Sequence, residues 1–317
     1  MELRELGRSG LRVSPLCLGG NVFGWTASEA DSFRLLDRFV EAGGNFIDTA
    51  DVYSVWAPGH QGGESERVIG NWLAQGGGRR EKVVIATKVG MELAPDRKGL
   101  AAAYIRRAVE DSLRRLRAER IDLYQAHKDD LETPLEETLG AFARLIEEGK
   151  VRAIGASNYE APRLREALET SARLGLPRYE SLQPHYNLAE RMRYEAALEA
   201  VCQEEGLGVI PYFSLAAGFL TGKYRSEADL GQSPRGQGVA KYLDERGLGI
   251  LAALDAVAAR HGATPARVAL AWMMARPGIT APIASATKPE QLEELLAATA
   301  LTLDAEDIER LDRASAG

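Results

Sequence analysis

Asn45-Phe46-Ile47-Asp48-Thr49-Ala50-Asp51-Val52-Tyr53 is the stretch from which the fold is read. A short apolar run ends on an acid, and a phenol follows five residues later. The pattern recurs downstream. Val83-Val84-Ile85-Ala86-Thr87 ends on Lys88, and Ile121-Asp122-Leu123-Tyr124-Gln125-Ala126 ends on His127. Short apolar runs bounded by polar residues read as buried strands. Acid, phenol, amine and imidazole at the same ends of successive strands predict one proton-transfer site. An ammonium beside a phenol favours phenolate and lowers the phenol pKa. A carboxylate holds that ammonium, and an imidazole steers a substrate oxygen.

Outward from these runs, strands are predicted near 16–18, 45–48, 83–87, 121–126, 152–156, 181–183, 208–212 and 281–283. Helices are predicted near 29–42, 64–75, 101–117, 134–148, 161–174, 192–205, 247–275, 289–298 and 304–314. Such alternation implies an α/β protein with a helix-covered parallel sheet. Eight strands in 317 residues fit a (β/α)8 TIM barrel in one domain, 1–317, with extra helices and long loops on the C-terminal face. Glu2–Leu6 and Leu11–Ser14 flank Gly7-Arg8-Ser9-Gly10 and predict a hairpin, placed as a plug at the N-terminal end of the barrel. Thr133-Pro134-Leu135-Glu136 predicts a capped helix start, Gly149 a stop and Thr264-Pro265 a restart after Gly262. Residues 222–246 are rich in Gly, Ser, Gln and Arg and predict a structureless lid.

Composition narrows the function. The chain is 45% hydrophobic and 27% charged, which suits a soluble globular fold. A net charge of −7 argues against nucleic acid as a partner. Cys17 and Cys202 form no disulfide framework. The N-terminus has no apolar signal core, and no run reaches the roughly 20 apolar residues that span a bilayer. The expectation is a cytoplasmic protein without a membrane partner; oligomerisation stays open. Each site residue also has an ordinary reading: Tyr53 a half-exposed aromatic, Lys88 a snorkelling strand end, His127 a core imidazole, Asp48 a loop ligand. Their common placement at strand ends favours a site, because barrel active sites gather there. The four histidines, His60, His127, His185 and His261, have no metal-ligand spacing, so no metal is expected. No G-x-G-x-x-G or complete P-loop occurs either.

The motifs resemble the aldo-keto reductase superfamily. They run from Phe46–Tyr53 through Gly63-Glu64-Ser65-Glu66-Arg67-Val68-Ile69-Gly70, Ala86-Thr87-Lys88 and Leu123-Tyr124-Gln125-Ala126-His127. Gly155-Ala156-Ser157-Asn158, Gln183-Pro184-His185-Tyr186-Asn187 and Gly218-Phe219-Leu220-Thr221-Gly222-Lys223-Tyr224 follow in the family's order. The resemblance implies carbonyl reduction with NADP(H), and NAD(H) as the weaker alternative. It makes Tyr53 the general acid, Lys88 the residue lowering its pKa, Asp48 the partner of Lys88, and His127 the guide of the carbonyl oxygen. It assigns Ser157, Asn158 and Gln183 to the nicotinamide carboxamide and Tyr212 to stacking on the ring. Phe213, Leu215 and Lys223 go to the pyrophosphate, and Gly20, Asn21 and Asp48 to the inner site. Ser285, Thr287, Lys288, Gln291 and Glu294 go to the adenosine end, where Thr287 to Glu290 also fits a capping box. The chain departs from the family pattern at Ser214, Ala284-Ser285 and Leu295.

Phe23, Trp25 and Trp56 are expected near the mouth, either packed under loops or walling an apolar site for small aldehydes or ketones. Two rival readings remain. One is a nucleotide-binding regulatory subunit on the same fold, like the potassium-channel beta subunits. The other is a metal-dependent barrel hydrolase or isomerase.

Overall fold

The computed structural model describes residues 1–233 and 236–316. A two-stranded hairpin, β1 (Arg4–Glu5) and β2 (Arg12–Val13), precedes the main sheet. The sheet has eight parallel strands: β3 (Cys17–Gly19), β4 (Phe46–Asp48), β5 (Val84–Val89), β6 (Ile121–Ala126), β7 (Val151–Ser157), β8 (Tyr179–Gln183), β9 (Gly208–Val209) and β10 (Ile283–Ala284). Strands β3 to β9 follow one another in order, and β10 pairs with β3. The Ile283 amide donates to the Pro211 carbonyl at 2.8 Å and that of Thr280 to Val209 at 2.8 Å, which closes the barrel. All eight strands lie where the apolar runs predict them.

The helices are α1 (Glu29–Glu41), α2 (Glu64–Leu73), α3 (Ala102–Leu116), α4 (Leu135–Glu147), α5 (Ala161–Leu174), α6 (Met192–Glu195), α7 (Leu198–Glu205), α8 (Glu245–His261), α9 (Pro265–Ala275), α10 (Pro289–Ala298) and α11 (Ala305–Ser315). Among the described residues no helix is long and apolar enough to cross a membrane. Two predicted stretches are each divided. The stretch 192–205 breaks at Ala196–Ala197, and 247–275 breaks at Gly262, whose φ of 56° ends α8. Thr264 caps α9 through the Arg267 amide, as the sequence predicts. Thr133 does not cap α4: its hydroxyl donates to Asp130 at 2.7 Å, and Pro134 takes the cap position.

The segment 222–246 is not structureless. Short 3-10 turns run over Glu227–Gln232 and Gly236–Tyr242, anchored by buried Leu230, Val239 and Tyr242. Glu190 accepts from Lys241 at 2.6 Å, Tyr242 at 3.0 Å and Arg193 at 3.0 Å, and ties the segment to the loop after β8. These polar anchors show no apolar periodicity, which is why the sequence reads as loop. Pro234 and Arg235 of the expected lid lie outside the described residues.

The hairpin is the expected plug. Leu6, Leu11 and Val13 pack against Cys17, Phe46, Val84, Ala86, Leu123, Ala153, Ile210, Ala281 and Ile283, the lower interior of the barrel. Arg4 reaches across to the carbonyls of Met274, Ile279 and Thr280. Gly7, at φ 55°, lies so close to β8 that a Cβ would fall 2.1 Å from the Glu180 carbonyl oxygen. Leu6→Ala is therefore expected to destabilise the protein by about 2–5 kcal/mol in urea unfolding, through lost burial and a cavity. A change within 0.5 kcal/mol, the range of surface substitutions, would show that the plug does not support the barrel.

Candidate active site

Strand register builds the site. Phe46, Ala86 and Leu123 face the barrel interior, so the residues two positions on, Asp48, Lys88 and Gln125, face the same way. Asp48 pairs across to Ala86, and Lys88 to Gln125, which stacks these polar side chains above the apolar floor.

Lys88 is fully buried and Asp48 is 1% exposed. The Lys88 ammonium donates to Asp48 Oδ2 at 2.6 Å, the Thr49 carbonyl at 2.8 Å and the Tyr53 hydroxyl oxygen at 2.8 Å. All three of its protons are thereby used. The Tyr53 hydroxyl donates to Asp48 Oδ2 at 3.2 Å. The other carboxylate oxygen accepts from Gln183 Nε2 at 2.9 Å, with Gln125 Nε2 farther off at 3.4 Å. The Tyr53 and His127 ring centroids lie 6.0 Å apart. The four expected residues form one cluster.

The electrostatics differ from the expectation in one respect. Burial, then the Asp48 carboxylate, push the Tyr53 phenol well above its ordinary range. The Lys88 charge does not reverse this, because Asp48 sits on the same ammonium and offsets it. Burial in turn holds the Lys88 amine below its usual value, against the pull of Asp48. The resting site thus keeps a proton on Tyr53. His127 is held well below the usual imidazole range by burial, then by the positive charges of Lys88 and Lys128. Its ring is neutral at physiological pH and able to share a hydrogen bond with a substrate oxygen.

Around this core the structure brings together most residues of the inner cofactor set. Ser157 donates to the Gln183 carbonyl at 2.9 Å, and Asn158, at φ 54°, donates to the His127 carbonyl at 2.9 Å. The Tyr212 hydroxyl donates to Asn158 Oδ1 at 2.7 Å, which orients the ring at the rim. His185 stacks behind Tyr212 at 5.3 Å, and burial brings its pKa down to about 4. Phe213 is 48% exposed at φ 55°. The half-buried Tyr212 ring and exposed Phe213 ring, beside the exposed Asn158 amide and the buried Gln183 amide, suit the planar, polar-edged ring of a nicotinamide.

Gly20 is buried under Asp48, and Ser285 donates to Asn21 Oδ1 across the barrel seam. Leu215 is half-buried, whereas Lys223 is exposed with its ammonium 4.9 Å from the Tyr224 ring centre.

Two expectations need correction, at Phe23 and at the Thr287 capping box. Phe23 is fully buried in the main core beside Gly20, and so is no substrate wall. The box from Thr287 to Glu290 does not form, because Thr287 turns its amide (2.8 Å) and hydroxyl (3.1 Å) to Gln291 Oε1 one helical turn on. Glu294 points to Arg267 Nε at 2.9 Å and Thr264 at 2.6 Å, so its carboxylate is already engaged. Trp25 and Trp56 do meet at the mouth, edge to face at 5.5 Å, with Trp56 6.0 Å from Tyr53. The sequence motifs alone assign Gln125 no role. Its signal is a lone amide at an inward position of a buried strand.

The aldo/keto reductase family profile matches residues 15–316. The chain belongs to the aldo/keto reductase family. Membership makes it an oxidoreductase on a (β/α)8 barrel. It is 38% identical to the uncharacterized oxidoreductase YrpG of Bacillus subtilis, over 98% of this chain and 95% of that protein. It is 34% identical to a probable voltage-gated potassium channel subunit beta of Oryza sativa, over 93% and 90% of the two chains. It is 32% identical to norsolorinic acid reductase of Aspergillus flavus, over 96% and 79%.

The site of this reductase predicts a neutral histidine. In NMR titration the His127 ring signals are expected not to move through the ordinary imidazole range near 6.5. A midpoint there would show that burial and the neighbouring lysines do not depress it.

Proposed function

We propose that this aldo/keto reductase reduces aldehydes or ketones to alcohols with NADPH, and that Tyr53 delivers the proton. The observation that carries this reading is the Tyr53 hydroxyl, 2.8 Å from the Lys88 ammonium and 3.2 Å from Asp48. A reduced nicotinamide, when bound, supplies the hydride that no side chain can. Ser157, Asn158, Gln183 and Tyr212 would hold its ring end. The protein's own residues manage the oxygen. Neutral His127 and the Tyr53 hydroxyl face the carbonyl oxygen, and Tyr53 protonates it as negative charge develops. Lys88 then stabilises the phenolate left behind, because its ammonium already touches the phenol oxygen. In the reverse direction the phenolate is the base.

The edge-to-face pair Trp25–Trp56 offers an apolar wall beside Tyr53. It suits flat, weakly charged carbonyl compounds, in keeping with the relative named for norsolorinic acid reduction. At the adenosine end the Thr287 hydroxyl is engaged with Gln291, so phosphate preference rests on Lys288. The preference for NADPH over NADH is then on the order of tens-fold, or roughly 2 kcal/mol.

Tyr53→Phe deletes only the phenol proton donor. Turnover with a saturating aldehyde is expected to fall by about 10²–10⁴-fold while cofactor binding, read by fluorescence, is retained. Near-wild-type turnover would reject the assigned acid. Absence of turnover in the wild type would instead favour a nucleotide-binding subunit, as in the relative named as a channel subunit. Lys88→Met combined with Tyr53→Phe is expected to be about as slow as the worse single change, since residues acting as a unit are non-additive. Lys288→Ala should weaken NADPH binding and leave NADH binding nearly unchanged in a calorimetric titration. Equal losses would move the phosphate elsewhere.

A further inference from the structure

The loop that carries Tyr53 on its front carries a second acid on its back. Asp51 is 1% exposed, and neither of its carboxylate oxygens has a hydrogen-bond partner among the described residues. Ser54, at φ 77° in the same loop, is fully buried, and its hydroxyl is likewise unpartnered. The groups around Asp51 come from every neighbouring element. Glu66 comes from α2, Arg115 and Tyr104 from α3, Tyr124 from β6, Lys88 from β5 and Arg97 from the loop after β5.

The strongest of the cations acting on Asp51, Arg115, is already committed. Arg115 Nε donates to Glu66 Oε2 at 2.6 Å, and Thr87 donates to Glu66 Oε1 at 2.6 Å. Gly63 fixes that guanidinium, since a Cβ there would stand 2.4 Å from Arg115 Cδ. This explains a glycine of the Gly63–Gly70 motif that the proton-transfer chemistry does not use. Two buried carboxyl groups thus lie beside an arginine that is paired with only one of them. Only Glu66 has the partners to stay ionised, and an unpaired buried carboxylate is costly.

We propose that Asp51 is a positioning residue that holds the Tyr53 loop only while its own carboxyl is protonated. Ionised, it places an uncompensated charge beside the Glu66 carboxylate, and the loop from Thr49 to Ala57 loosens. Tyr53 and Trp56 then lose their geometry, so the site is switched off from the alkaline side. Burial, then Glu66, raise the Asp51 pKa to about 8. An unfolded aspartate titrates near 4, so the folded state holds this proton more tightly. Stability therefore falls as pH rises between about 4 and about 8 and is level above, as far as this group contributes.

The test is Asp51→Asn, which keeps the shape and cannot ionise. Infrared spectra of the wild type should show a protonated buried carboxyl at pH 6. The band should fade with a midpoint near 8 and be missing from the variant. The wild-type melting temperature should drop between about pH 4 and about pH 8 relative to that of Asp51→Asn and run parallel to it above. The catalytic arm rests on the carbonyl-reductase reading. Turnover of the two proteins should agree at pH 6, and at pH 9 the wild type should be about tenfold slower, the fraction still protonated one unit above the midpoint. A wild type lacking the carboxyl band at pH 6 would overturn the proposal without any variant. Parallel melting curves between about pH 4 and about pH 8 would overturn it as well. Both optical readings stand even if no carbonyl substrate is turned over, so failure of the reductase reading is distinguishable.

Discussion

The buried ion pair between Lys88 and Asp48 is the constraint on which the rest of the site depends. An ammonium and a carboxylate out of water are tolerated only with excellent geometry and with their remaining hydrogen-bonding groups satisfied. The structure meets both conditions: three acceptors surround Lys88 Nζ, and Gln183 holds the second Asp48 oxygen. Removing either charge would strand the other in the barrel. Below the pair, the hairpin residues Leu6, Leu11 and Val13 close an apolar floor. Excluding water there strengthens every electrostatic contact above it. The N-terminal hairpin, remote from the chemistry, thus sets the dielectric in which the chemistry works.

The same pair explains the state of the phenol. If Lys88 stood alone beside Tyr53, it would favour phenolate. With Asp48 2.6 Å from the ammonium, the local charge is nearly cancelled and burial decides. Tyr53 holds its proton at rest. In the proposed reaction the ammonium would act where negative charge develops on the phenol oxygen, which is where a catalyst is best spent.

The loop after β4 serves both faces of this arrangement. Its front presents Tyr53 and Trp56 to the mouth, and its back turns Asp51 toward Glu66 of α2 and Arg115 of α3 and buries Ser54. The proposed site and the packing behind it are therefore linked through one short segment. The tie through Glu190, whose pKa is brought to about 2 chiefly by its partners Lys241, Arg193 and Tyr242, plays a comparable part for the segment 222–246.

The sequence by itself determined the barrel and the ends of its strands that carry polar residues. Apolar runs ending on Asp48, Lys88 and His127 specify both where the strands lie and which ends carry polar chemistry, since buried parallel strands are near-continuously hydrophobic. Gly262 and Thr264-Pro265 mark the break between α8 and α9 for an equally local reason, backbone conformation and capping. Other features were decided only by tertiary structure. Phe23 belongs to the core and not to the mouth, and Thr287 turns to Gln291 where Glu290 fits the local pattern. Thr133 leaves its helix for Asp130, and Glu294 is taken by Arg267. Glu294 is claimed by a residue distant in the chain, whereas Thr133 and Thr287 turn to local partners that compete with the expected caps. The balance of charge on Tyr53, and the lack of a hydrogen-bond partner for the Asp51 carboxylate among the described residues, likewise follow from which side chains converge in the closed barrel. Convergence of residues distant in the chain is a property of three-dimensional packing, and no spacing along the chain records it.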